Sequence, residues 1–142
     1  MVYKTIISVD DLKNNLNNDD FLIFDSRCDI KDSGYGIDSY TEGHIPNSIF
    51  VDVDTDLASE KRPGTGRHPL PDPNTFSEKL SHWGMSNNKQ VVVYDDAGGA
   101  FAGRLWWMLK WLGHEAVAVL DGGLNSWVKG GNKLVTTPTV FE

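Results

Sequence analysis

The sequence predicts a single α/β domain built on a mostly parallel sheet. Three observations carry that expectation. Short apolar, β-branched runs alternate along the chain with helical patterns, which is the signature of a layered α/β domain. Two of the runs, Val91-Val92-Val93 and Val117-Ala118-Val119-Leu120, are apolar without alternation, as strands covered on both faces must be. The chain has 142 residues, of which 39% are hydrophobic and 11% aromatic. That is one domain's length, with enough apolar surface for a core.

A weak strand at 5–7 opens the chain. Ser8 then stands where an N-cap belongs, with Asp10 and Asp11 in the first turn of a helix over 9–16. Strands follow at Phe21–Asp25 and 49–53. The stretch 58–73 holds Pro63, Pro69, Pro71 and Pro73 together with Gly64 and Gly66, so it reads as a long irregular loop. Asp72-Pro73 places a capping residue before a proline at the first helical position. Phe76, Leu80 and Trp83 continue it as one apolar stripe. A strand at Gln90–Tyr94 leads into the strongest helix, 101–112, where Phe101, Leu105, Met108, Leu109 and Leu112 share a face and Gly113 is a stop. A strand at 116–120 and a short helix at 124–129 complete the pattern.

Composition narrows the function classes. Twenty acidic and 13 basic side chains give a net charge of −7. That disfavours nucleic acid or an anionic membrane as a partner. No 18-residue apolar run occurs, and the opening residues carry no apolar targeting core. A cytoplasmic protein is therefore expected. The one cysteine, Cys28, excludes an internal disulfide and a thiolate zinc cluster, and nothing calls for a metal or a cofactor.

In open α/β sheets, ligands sit outside the carboxyl ends of the strands. The most suggestive loop there is Asp95-Asp96-Ala97-Gly98-Gly99-Ala100-Phe101, small residues leading into a helix. Backbone N–H groups converging at a helix N-terminus make an anion cradle. The residue at the strand end is Asp95, however, and a carboxylate cannot carry a sulfane sulfur. Its bland reading is a capping carboxylate that fills the cradle itself. Cys28 lies elsewhere, and a lone cysteine is more often an inert small apolar side chain than a nucleophile. His82 and His114 read as solvated, and His44 as a turn-stabilising residue. His68, held between Arg67 and Pro69 in the long loop, is a credible functional histidine. Lys61, Arg62 and Arg67 give that loop local positive charge.

Asp25-Ser26-Arg27, Tyr40 and Gly43-His44-Ile45-Pro46 resemble the first motif of the rhodanese homology domain. Leu120-Asp121-Gly122-Gly123-Leu124-Asn125-Ser126-Trp127 is similar to its C-terminal motif. Asp52-Val53-Asp54, His68-Pro69-Leu70-Pro71, Tyr94-Asp95 and Arg104-Leu105-Trp106-Trp107-Met108 resemble the N-terminal domain of two-domain thiosulfate and 3-mercaptopyruvate sulfurtransferases. The resemblance implies a five-stranded, mainly parallel sheet flanked by helices on both faces. It also implies that the working cysteine, which cycles through a persulfide, belongs to a second rhodanese domain in cis. Asp95 then stands at the position of the absent nucleophile, and the domain by itself is inactive.

The same resemblance makes His68 a supporting catalytic residue, oriented by Asp54. Arg67, Gly98 and Gly99 become candidates for binding a small anionic donor, thiosulfate or 3-mercaptopyruvate, with cyanide or a thiol as acceptor. Asp25, Arg27, His44, Asp121, Gly122 and Gly123 form the structural motifs. Arg104 and Trp106 read as packing or interdomain residues. The domain is expected to span 1–133, with 134–142 resembling the start of an interdomain linker. The rival class is a stand-alone silent module used for protein binding or regulation. A phosphatase relative needs a Cys where Asp95 stands. A receiver domain needs its acidic pair early in the chain. A dinucleotide-binding domain needs a G-x-G-x-x-G that is missing.

Overall fold

The computed structural model describes residues 2–29, 31–32, 34–53, 55–57, 71–137 and 139. The chain runs β1 (Ile6–Ile7), α1 (Val9–Lys13), β2 (Phe21–Asp25), α2 (Tyr35–Glu42), β3 (Ser48–Phe50), α3 (Pro73–His82), β4 (Gln90–Tyr94), α4 (Ala102–Trp111), β5 (Val117–Leu120) and α5 (Gly123–Lys129). All five strands are parallel, in the order β1-β5-β4-β2-β3.

The two apolar runs lie in β4 and β5, inside the sheet. Each alternates between two cores on opposite faces. Val91, Val93 and Val117 join Phe24, Phe76, Leu80, Leu105, Met108 and Leu109 on the α3–α4 face. Val92, Tyr94, Ala118 and Leu120 join Ile7, Leu12, Ile23, Leu124 and Trp127 on the α1–α5 face. Every position in β4 is buried. The missing alternation in sequence is the consequence of this two-sided cover.

The expected caps form. Ser8 accepts from the Asp11 amide, and Asp72 accepts from the amides of Asn74 and Thr75 behind Pro73. Gly113 follows α4 at φ +91°, where only glycine is unstrained.

Three expectations change. The expected strand at 49–53 is Ser48–Phe50: the Val51 amide still reaches the Asp25 carbonyl, and the chain then turns, with the amides of Asp56 and Leu57 bonding back to the Asp52 carbonyl. The first helix ends at Lys13 rather than 16, its polar Asn-rich end closing in turns. The helix α2 was not expected at all. Its side chains are largely polar and it buries only Gly36 and Tyr40, so it carries little periodic signal. A Cβ at Gly36 would lie 2.2 Å from the Arg27 carbonyl, so this close approach requires glycine.

Strand order reverses between β2 and β4, since β2 leads outward to β3 and β4 leads the other way to β5. The crevice at such a reversal is where this class of sheet places its ligands. Asp25 and Ser26 stand at the carboxyl end of β2, and Asp95 and Asp96 at that of β4, on either side of the reversal.

Candidate functional site

The loop after β4 builds a four-donor cradle, and the side chain of Asp95 fills it. Asp95 Oδ1 accepts from the backbone amides of Ala97 and Gly99, at 3.0 and 2.9 Å. Oδ2 accepts from those of Phe101 and Ala102, at 2.9 and 2.8 Å. The carboxylate is 1% exposed. Gly98 and Gly99 make the wrap possible by taking φ of +71° and +94°. With two amides on each oxygen and the α4 N-terminus behind them, one bound anion is satisfied completely. The anion is part of the chain.

The Asp121-Gly122-Gly123 turn closes the cradle from the β5 side. The Leu124 amide donates to the Asp95 carbonyl at 2.9 Å. A Cβ on Gly123, which sits at φ +60°, would come within 2.6 Å of that same carbonyl. Gly122, at φ +75°, would place a Cβ 1.8 Å from Ser126 Oγ. The two glycines are therefore required by close approach as well as by backbone conformation. The cleft beside them has a volume of about 260 Å³ and is lined in part by Asp95, Asp96 and Asp121. Among the described residues that line it, three are acidic and none is basic.

Behind the crevice lies a buried polar hub. Asp25 pairs with Arg27, Nη2 to Oδ2 at 2.7 Å, and the same guanidinium donates to the Gly43 carbonyl at 2.6 Å. Tyr94 donates its phenol proton to Asp25 Oδ2 at 2.8 Å and receives the Ile45 amide at 3.1 Å, with Ser48 Oγ 3.0 Å away. Ser26 binds the Tyr94 carbonyl through both its amide and its hydroxyl. Burial alone would lower the Arg27 pKa, but the hydrogen bonds and charge of Asp25 outweigh it and the net shift is upward. Burial pushes the Tyr94 phenol well above its ordinary value, and the Asp25 charge adds to this. No described buried side-chain nitrogen or oxygen lacks a partner. The hub ties β2, β4 and the Gly43–Ser48 corner together.

At the mouth of the crevice, the Tyr35 hydroxyl donates to Asp96 Oδ2. That hydrogen bond, then burial, raises the Tyr35 pKa. It joins the start of α2 to the cradle loop across the strand-order reversal. Sequence reasoning missed this link and the hub's centre, Tyr94. A tyrosine ending an otherwise apolar central strand was the available signal, because a buried phenol must find partners.

Other expected residues fall as follows. His44 is fully buried and does stabilise its turn, with Nδ1 2.7 Å from the Tyr40 carbonyl. Asn47, in the same corner, holds a left-handed φ of +69° and donates to the Leu16 carbonyl. His82 is exposed, and His114 Nε2 lies 2.9 Å from the Lys89 carbonyl. Arg104 grips the Leu57 carbonyl through Nε and Nη2, at 3.0 and 2.8 Å, and burial lowers its pKa. Trp106 donates to the Lys4 carbonyl. Cys28 is half-buried against the α3–α4 core and lines a small hollow with Asp29, Gly36 and Phe50, away from the cradle donors. His68, Asp54, Arg67, Lys61 and Arg62 lie outside the described residues. No cluster of metal-ligating side chains occurs among the described residues.

Comparison with known proteins agrees with this architecture. The model of the rhodanese-like domain family matches residues 8–130. A Pseudomonas aeruginosa protein named "Probable 3-mercaptopyruvate sulfurtransferase" is 45% identical over 128 residues, covering 89% of this chain and 45% of the relative. The Arabidopsis thaliana mitochondrial "Thiosulfate/3-mercaptopyruvate sulfurtransferase 1" is 39% identical over 127 residues, covering 89% of this chain and 33% of the relative. The solved 3-mercaptopyruvate sulfurtransferase from Leishmania major superposes with a TM-score of 0.88 at 31% identity, covering 97% of this chain and 38% of that one. The chain thus spans less than half the length of each of these relatives. Sequence motifs, strand order and the family match coincide, and the chain belongs to the rhodanese-like domain family.

Proposed function

We propose that this chain is the N-terminal, cysteine-less half of a two-domain sulfurtransferase. In this reading a second rhodanese domain in cis supplies the thiolate that takes one sulfur from thiosulfate, releasing sulfite, or from 3-mercaptopyruvate, releasing pyruvate once its enolate is protonated; the persulfide so formed passes its outer sulfur to cyanide, giving thiocyanate, or to a thiol, and the thiolate returns. The observation that carries the reading is the Asp95 carboxylate in the four-amide cradle. A persulfide-forming cysteine belongs where such donors lower a thiol's pKa. Here a side chain that cannot carry sulfur occupies that place. The cations for binding the anionic sulfur donor come from the loop residues Arg67, Lys61 and Arg62 and from the second domain. His68, oriented by Asp54, serves the shared cleft as a proton carrier.

The test is thiocyanate formation from thiosulfate and cyanide by the purified chain, beside its Cys28→Ser variant. The expected rate equals the uncatalysed background for both proteins. Turnover by the unmutated chain that Cys28→Ser abolishes would overturn the proposal, because the nucleophile would then reside in this half.

A further inference from the structure

Helix α4 turns two tryptophans outward. Trp107 is 49% exposed and Trp111 42%, and their rings lie 10° from parallel with centroids 6.1 Å apart. The inner face of the same helix, Ala102, Leu105, Met108 and Leu109, packs into the α3–α4 core. Neighbouring open indoles on the outer surface of a helix mark a contact site.

One turn before Trp107, the same stripe holds Gly103. It takes no positive φ, and a Cβ there would meet no described atom within 4 Å. Neither backbone conformation nor close approach within the described chain calls for glycine, which weakens a helix relative to alanine. The stripe therefore has a gap at Gly103 and ridges at Trp107 and Trp111. Turning a second α4 antiparallel about Trp107 sets each Trp111 opposite the partner's Gly103. Ridge enters groove twice, as a two-fold contact requires.

The flanking cations are engaged within the chain. Arg104 holds the Leu57 carbonyl, and Lys110 lies 3.6 Å from the Glu115 carboxylate and 5.3 Å from the Trp106 ring centroid. The stripe itself is uncharged, so its complement is another uncharged stripe rather than an acidic or basic partner. Fully covered, an indole buries about 150–250 Å²; about half of that is open here, so four indoles contribute about 400 Å². Even with the flanks, this falls short of the roughly 1,200 Å² of stable complexes, which sets a Kd of about 0.1–1 mM.

We propose that two copies of this chain associate through α4, antiparallel about Trp107, as a transient two-fold dimer. The contact is independent of where the reactive cysteine lies.

Sedimentation equilibrium of the full chain, from about 10 μM to about 1 mM, tests it. The mean mass should climb from monomer toward dimer and no further, because a two-fold contact closes on itself. Each copy carries −7, so the two repel, and salt screens that repulsion. Raising NaCl from about 20 mM to about 300 mM should therefore tighten the dimer about threefold or more. Gly103→Gln fills the groove where the chain alone has open space. It should weaken the dimer by about tenfold or more while leaving the melting temperature equal or higher, since glutamine is the better helix former. Trp111→Gln should weaken the dimer to the same degree. A chain that stays monomeric at the highest concentration and salt overturns the proposal. So does growth beyond a dimer, a dimer that salt weakens, or a dimer that keeps its Kd in Gly103→Gln.

Discussion

Replacing Asp95 by alanine isolates the cradle. The substitution removes one carboxylate and leaves four backbone amides without their acceptor. The donors differ in what they can do next. Ala97 is exposed and Gly99 half-exposed, so their N–H groups turn to water at about 0.5–1 kcal/mol each. Ala102 is fully buried and Phe101 partly so. An orphaned buried donor costs about 1–3 kcal/mol. The α4 N-terminus also loses its compensating negative charge. Together these give a loss of about 3–5 kcal/mol, a fall of about 10–20 °C in melting temperature for a domain of this size. Urea unfolding of Asp95→Ala beside the unmutated chain measures it.

The same reasoning predicts rescue. Sulfate or phosphate can enter the vacated cradle, so either ion should raise the melting temperature of Asp95→Ala more than that of the unmutated chain. Asp95→Asn keeps the shape and one acceptor oxygen, and should fall between the two. A loss below about 1 kcal/mol for Asp95→Ala, or equal anion responses in both proteins, would refute the idea that this side chain is the cradle's resident anion.

Tyr94→Phe removes the hub's central hydroxyl and orphans the Ile45 amide, a loss of about 2–3 kcal/mol by urea unfolding. The Tyr94 pKa is raised in the folded state, so the stability it confers is complete below the unfolded value of about 10 and drains away as pH rises beyond that. The variant should lose the slope of about 1.4 kcal/mol per pH unit that one such group contributes in alkali. Gly123→Ala drives a Cβ against the Asp95 carbonyl at a positive φ. It should cost about 1–3 kcal/mol and weaken protection of the Leu124 amide by hydrogen exchange. Arg27→Ala leaves the Asp25 carboxylate buried without its cation, a loss of about 3–5 kcal/mol that thermal melts would register.

What the sequence revealed depends on how each element is held. Strands β2 and β4 were legible to the residue, because they are buried on both faces and their composition is dictated by the two cores. The caps at Ser8 and Asp72 were legible because they act on amides two or three residues away. Helix α2 was not, since it is held by Tyr40, by the close approach at Gly36 and by the Tyr35–Asp96 link rather than by an apolar stripe. At the site, small residues after a strand foretold a cradle, and the acidic residue at its head foretold its occupant. The hub was illegible for a different reason. Asp25, Arg27, Tyr94 and Ser48 are scattered along the chain and become partners only when the parallel register brings β2, β4 and the Gly43–Ser48 corner together. The contacts of Val135 and Thr137 with His44 were illegible too, because pairing across some 93 residues leaves no local trace in sequence.

The central claim is that this domain holds its own anion where a sulfur-carrying thiolate would sit. Intact-mass measurement of the purified chain after incubation with thiosulfate, and separately with 3-mercaptopyruvate, tests it most directly. The account predicts an unchanged mass. A gain of one sulfur atom that cyanide removes would contradict it.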